Sequence, residues 1–374
     1  MVRTIAIVLV VVLLGGIIGW VLMSRNKEDT ATPKAAAAHI KVGVLLATSG
    51  GSSSMGYGAL KGIQLAKKQL NADNIDLVQA DGKCDPKTAP DAMKYLISQH
   101  VVAIIGENCS SASVAVLPQA NANKIPMVSP SASSPNLTIE NDYFFRTVPS
   151  DIGQGTFLAQ SMYKAGLRNV AVFYTNEPYG AAINDVFKKQ FETLGGKVVA
   201  AVSAESSVID VKTQVDAIKA AKPDGLAIVT NSTVSSTAVM KLSRDNGITI
   251  PFYGGDNLYD NTIITNNGAA AEGLHVVSFP TGTKTFKQAL LNEYHVTEQL
   301  YSAPEAYDAF KVVYLAAQKG ATTGEQFKTI IPTIKFTDGA SGPITFDKYG
   351  EQPYQNYKYD LLQVKDGEFQ IVTQ

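Results

Sequence analysis

Cysteine and histidine are scarce in this chain, and their scarcity removes several classes of function. Among 374 residues there are two cysteines, Cys84 and Cys109, and four scattered histidines, His39, His100, His275 and His295. No Cys/His cluster has the spacing of a zinc site, so no metal or other cofactor is expected and each histidine is read as structural. The Gly-x-Ser-x-Gly elbow and the His-Glu-x-x-His pair are both missing, which leaves hydrolytic catalysis without its usual groups. The chain is therefore read as a non-enzyme. Charged residues make up only 17% of the chain and the formal net charge is −1, so there is no basic footprint for nucleic acid. A 45% share of hydrophobic residues supplies a sizeable core and excludes global disorder.

One long apolar run stands out. Residues 5–23 carry no charge and are interrupted only by Gly15, Gly16 and Gly19. A run of about 19 residues nearly matches the roughly 20 needed to cross a bilayer as a helix. It exceeds the apolar region of a cleavable signal, and the first small-residue cleavage candidate, 35–37, lies well beyond it. A retained N-terminal transmembrane helix is favoured over a cleaved signal; no cysteine follows the run to carry a lipid. Residues 24–38 read as a linker. Either reading exports the body, and two cysteines in an exported chain favour a disulfide over two buried thiols.

From residue 39 the chain alternates short apolar strands with helical periods. Strands are expected at 40–46, 75–78, 101–105 and 125–128, with helices near 57–70, 85–99 and 111–123. The pattern restarts after Pro149: helix 152–165, strand 170–174, helix 181–194, strand 197–202, helix 211–221, strand 226–229, helix 235–246 and strand 251–253. A strand at 274–277 and helices near 286–294 and 307–318 follow. This is an α/β chain of two similar modules, each with a mostly parallel sheet. Ligands bind beyond the carboxyl ends of such strands, so two facing modules place their strand-end loops across one cleft.

Several strand-end segments are candidate sites. Gly56-Tyr-Gly58-Ala-Leu-Lys-Gly62 comes near a dinucleotide fingerprint, but its last spacing is one residue too long, and the plainer reading is a flexible loop at the cleft. Cys109-Ser110-Ser111 opens a helix; its N–H groups and hydroxyls suit a carboxylate, or merely cap the helix. In Ser129-Pro-Ser-Ala-Ser-Ser-Pro135 two prolines hold Ser131 to Ser134 at a strand end, where they offer carbonyls and hydroxyls to a polar ligand or to water. Asp256 follows Gly254-Gly255 and either takes an ammonium or caps a helix; Tyr179 either covers a ligand or packs on its own loop.

Four stretches, taken together, are specific: Asp81-Gly-Lys-Cys-Asp-Pro86, Ile105-Gly-Glu-Asn-Cys-Ser-Ser111, Ile125-Pro-Met-Val-Ser-Pro-Ser-Ala-Ser-Ser-Pro-Asn-Leu137 and Gly247-Ile-Thr-Ile-Pro-Phe-Tyr-Gly-Gly-Asp256. Their order resembles the periplasmic leucine/isoleucine/valine-binding protein family, the type I solute receptors of ABC importers, over roughly residues 39–370. The resemblance implies two Rossmann-like lobes joined by three crossovers, with 39–147 and 280–342 forming lobe 1 and 149–277 and 345–374 forming lobe 2. It pairs Cys84 with Cys109. It assigns the ligand carboxylate to Ser110 and the ammonium to the Ser131 carbonyl, and gives the Ser133 hydroxyl contact with both, within the loop that includes Ala132. Asp256 stands where branched-chain binders carry Glu, one methylene longer. Tyr179 matches an aromatic that closes over the ligand, and Met55 a bulky side-chain contact; near Ser232 and Thr233 a second cleft tyrosine is missing. The implied function is an extracytoplasmic, monomeric receptor that delivers a small apolar α-amino acid to ABC permease subunits, attached to the membrane by its N-terminal helix. The alternatives are a ligand-sensing partner of a chemoreceptor or kinase, and a receptor for an amide, urea-like or aromatic solute.

Overall fold

Strand β1 (Ile40–Leu46) has six of its seven residues buried, as expected of a parallel strand covered on both faces. In the computed structural model, which describes residues 39–206, 208–296 and 300–372, it lies inside a five-stranded parallel sheet. The order is β2 (Ile75–Asp81), β1, β3 (Ala103–Gly106), β4 (Met127–Ser129), β5 (Phe144–Arg146). Helices α1 (Ser53–Gln69), α2 (Ala89–Ser98) and α3 (Ser110–Asn123) connect the first four strands, since parallel neighbours need a crossover element. The expected anchor 5–23 and linker 24–38 lie outside the described residues. Among the described residues no helix is long and apolar enough to cross a membrane.

The second sheet has seven strands. Its parallel part is built from β6 (Asn169–Thr175), β7 (Lys197–Ala204), β8 (Gly225–Val229), β9 (Phe252–Gly254) and β10 (His275–Ser278), in the order β10-β9-β8-β6-β7. Helices α4 (Asp151–Lys164), α5 (Pro178–Thr193), α6 (Lys212–Ala221), α7 (Thr233–Asp245) and the short α8 (Asn261–Asn267) accompany it. His275 stacks on Tyr253 at 4.5 Å between centroids, a structural position.

The chain beyond β10 divides between the two sheets. Helices α9 (Lys284–Tyr294), α10 (Ala303–Gln318) and α11 (Gly324–Ile330) come next. Helix α10 buries Ala306, Phe310 and Val313 in the core that also holds Val42 and Ile63 of the first sheet and α1. Strands β11 (Asp360–Lys365) and β12 (Glu368–Ile371) instead extend the second sheet antiparallel beside β10.

The Gly56–Gly62 segment is not the loop expected from the sequence. The helix starts at Ser53, so these glycines lie within α1. A Cβ on Gly62 would stand 2.0 Å from the Ala303 carbonyl oxygen, and one on Gly58 2.3 Å from that of Tyr301. The glycines let α10 and the residues before it approach α1 at backbone distance, so neither phosphate binding nor flexibility is their purpose.

Candidate ligand-binding site

The strand-end loops meet. After β3 the chain enters α3 through Cys109, whose extended backbone caps the helix. The disulfide to Cys84, with Cα atoms 5.2 Å apart and a sequence separation of 25, pins this helix start to the connection after β2. Closing a loop of that size stabilises by roughly 3 kcal/mol. After β4 comes the serine loop, held from behind by Arg146 of β5. The Arg146 guanidinium, fully buried, donates to the carbonyls of Ala132 (3.1 Å) and Ser134 (3.0 Å) and pairs with Glu351. A buried ion pair of this kind holds a shape because removing either partner strands the other charge.

A cavity of about 10 Å³ is lined by Met55, Ser110 and Ser131 from the first-sheet side and by Tyr179, Asn231 and Asp256 from the second. That volume is about enough for one water. Five of the seven ligand-contact residues expected from the sequence share this one cavity. Ala132 and Ser133 lie behind it. The Ala132 carbonyl is engaged by Arg146, and the Ser133 carbonyl accepts the Asp151 N–H at 2.8 Å.

The two poles of the cavity differ in chemistry. At one pole, the Ser110 hydroxyl oxygen accepts the Ser134 N–H (3.0 Å), leaving its own proton free to donate. The first-turn N–H groups of α3 point the same way, where a helix N-terminus favours an anion. Asn108 also lines the cavity; its side-chain carbonyl accepts the Ala47 N–H while its Nδ2 is buried without a partner. At the other pole Asp256, buried, accepts from Tyr179 Oη (2.6 Å), Gln154 Nε2 (2.8 Å) and Tyr301 Oη. Burial raises the Asp256 carboxyl above its usual range, and these three donors pull it back. Asp151, fully buried at the start of α4, is raised far more, first by burial and next by the charge of Asp256, with the Ser133 hydroxyl opposing. Two buried carboxyls thus share this pole, each pushed toward its neutral form by burial, and an entering cation would favour their ionised forms.

Sequence reasoning missed Tyr301, Asp151, Asn108 and Arg146. Tyr301 stands just before α10 and packs against the cores of both halves of the molecule. Its hydroxyl donates to one oxygen of Asp256, so it competes with an incoming ammonium for that oxygen. Tyr301→Phe is expected to tighten binding of a cationic solute group about threefold to tenfold, the scale of one ordinary net hydrogen bond. Calorimetry checks this, and weaker binding would instead make Tyr301 a direct ligand contact. Asp151 and Arg146 share the stretch Phe144-Phe-Arg-Thr-Val-Pro-Ser-Asp151; two charged residues beside an apolar run were the available signal.

Other direct contacts cross the cleft. Ser134 Oγ donates to the Pro178 carbonyl at 2.8 Å, and Ser54 Oγ to Asp260. The fold is thus two α/β halves drawn together around a small polar cavity, the arrangement of a hinged solute receptor.

A family model described as periplasmic binding protein matches residues 39–368, and the chain belongs to that family. Its members bind solutes and are not catalysts. The Leu/Ile/Val-binding protein of Escherichia coli (strain K12) is 24% identical over 331 residues, covering 85% of this chain and 89% of that protein. The crystal structure of a leucine binding protein, LivK, from Thermotoga maritima superposes with a TM-score of 0.83 at 26% identity, covering 89% of this chain and 98% of that one. A solute binding protein from R. palustris, in complex with benzoate, shares the fold at a TM-score of 0.80 and 20% identity, covering 90% and 96%. Two other curated relatives are spanned over 48% and 66% of their own length.

Proposed function

We propose that this chain is the extracytoplasmic substrate-binding protein of an ABC importer and closes on a small α-amino acid with an apolar side chain. One observation carries the reading: Ser110 and Ser131 from one half and Tyr179 and Asp256 from the other line a single cavity, with donors at one pole and buried carboxyls at the other. A zwitterion matches both poles, and a buried charge is tolerated only when paired and hydrogen-bonded. The ligand carboxylate lies on Ser110, the Asn108 amide and the first turn of α3. The ammonium lies between the Ser131 carbonyl and Asp256, with Asp151 and the Ser133 hydroxyl behind.

Residues 39–147 with 280–342 form one lobe and 149–277 with 345–374 the other, and the hinge is the three segments between them. The cavity is too small for an amino acid as it stands, so the halves part and Tyr301 withdraws to admit one; ligand then favours reclosure by its contacts to both lobes. Met55 borders the side-chain end and favours apolar groups. The 5–23 segment ties the body to the membrane beside its permease.

Mass spectrometry of ligand released from the purified chain, followed by calorimetry with a panel of L-amino acids, tests this. Leucine, isoleucine, valine or alanine is expected to bind. Exclusive binding of a solute without an α-amino group, such as benzoate or urea, would refute the assignment.

A further inference from the structure

The Cys84–Cys109 disulfide has two unlike ends. Cys84 is half-buried and lines a cavity of about 670 Å³ at the cleft mouth, next to Lys83 and opposite Glu177 and Glu205. Cys109 is buried and caps the 14-residue helix α3. Beside both stands Glu107, fully buried. Its Oε2 accepts the Cys109 N–H at 2.6 Å, the Cys84 amide also faces the carboxyl, and Oε1 has no partner of ordinary hydrogen-bond geometry. The two sulfurs and a Glu107 oxygen all lie within 4.8 Å of one another. In the dithiol state the same three groups would converge, but the bond as it stands already holds what an exchange reaction needs. One cysteine, Cys84, is half-buried and lines the open cavity. The other sits at a helix N-terminus, which stabilises a departing thiolate. A carboxyl lies against them with a free oxygen.

We propose that this bond is a thiol–disulfide exchange site: a small anionic thiol attacks Cys84 through the cleft mouth, and Glu107 protonates the departing Cys109. The incoming thiolate sulfur bonds to Cys84 Sγ as the Cys84–Cys109 bond breaks, and the electron pair of that bond stays on Cys109 Sγ. The attacking thiol is oxidised to a mixed disulfide on Cys84 and Cys109 is reduced. The proton passes from Glu107 to the Cys109 thiolate, and the Glu107 carboxylate regains one from solvent. Burial pushes the Glu107 carboxyl up to about 8, with the charge of Asp81 adding to the rise and the two cysteine amides opposing it, so the group holds its proton at neutral pH. Lys83, beside Asp85 and opposite Glu177 and Glu205 in the cavity lining, is the cation that would hold an anionic thiol next to Cys84. Of the acids across the cavity, Glu177 is engaged in capping α5. The exchange stands independently of which solute the cleft takes.

Reduced glutathione is the probe. Incubated with the folded full-length chain at neutral pH, it is expected to add to Cys84, by intact mass and peptide mapping, with no loss of the native circular-dichroism signal. Glu107→Gln is expected to slow this at least about tenfold, the low end of general-acid contributions, and to remove the fall in proton donation near pH 8 from the rate profile. Lys83→Ala, an exposed change that leaves the fold intact, is expected to slow glutathione severalfold and leave uncharged 2-mercaptoethanol unaffected. Reduction that occurs only in step with denaturant unfolding, or wild-type rates and pH profiles in both variants, would overturn the proposal.

Discussion

Replacing Asp256 with alanine is expected to weaken amino-acid binding by well over tenfold, reaching about several thousandfold if the full cost of a stranded buried charge is felt. Two effects add. The ligand ammonium loses its counter-charge in a closed cavity, and cutting a buried, hydrogen-bonded pair costs about 2–5 kcal/mol. The three donors that now converge on Asp256, from Gln154, Tyr179 and Tyr301, lose their shared acceptor. Asp256→Asn separates the two, because the amide retains an acceptor for the donors while removing the charge. Calorimetry on both variants is the check. Asn is expected to bind nearly as weakly as Ala; near-wild-type affinity in Asn would mean that the site recognises hydrogen bonds and not a cation.

The second large effect concerns stability and needs no ligand. Glu107 has an ordinary carboxyl value near 4.5 in the unfolded chain and about 8 in the folded one. Between these values the folded state holds a proton that the unfolded state releases, so stability falls as pH rises through the window. At 1.36 kcal/mol per unit, the loss attributable to this one group is roughly 5 kcal/mol by the time it ionises in place. The fit is tight, since a Cβ on Gly82 would stand 2.7 Å from Glu107 Oε1. Glu107→Gln keeps an acceptor for the Cys109 N–H and cannot ionise. Denaturant melts from pH 5 to 9 are expected to show a shallower decline in the variant than in the wild type. Asp151 and Glu305, both buried and both raised well above their ordinary values, contribute the slope that remains. Parallel curves for the two proteins would contradict the burial argument.

Much of the architecture was legible because the strands are short apolar runs and the helices begin at polar or proline-bearing turns. The repeated strand–helix period implies two mostly parallel sheets, and the rule that ligands gather at carboxyl strand ends makes the loops of Ser110, Ser131, Tyr179 and Asp256 candidates, to which the family resemblance gives roles. The pairing of Cys84 with Cys109 is present as the family resemblance implied. What escaped was set by contacts distant in sequence. Tyr301 enters the cleft because α10 packs on glycines more than 230 positions earlier, and no local pattern announces that. Those glycines looked like a loop, since helix propensity disfavours them; tertiary approach of the Ala303 backbone overrides propensity. β5 is three residues long, too short for a periodic signal, yet its Arg146 holds the serine loop in place. Asp151 resembles an ordinary helix-start acid, and only its complete burial near Asp256 shows that it is a second carboxyl behind the cavity.

The account rests on two opposite poles facing one another across a closing cleft. Its most direct test is a calorimetric comparison of the best-binding L-amino acid with its own amide and with its deaminated acid. The account predicts that the amino acid binds and that loss of either charged group weakens binding by more than tenfold. If the deaminated acid binds as tightly as the amino acid, the carboxylate-lined pole is not an ammonium site and the central claim is contradicted.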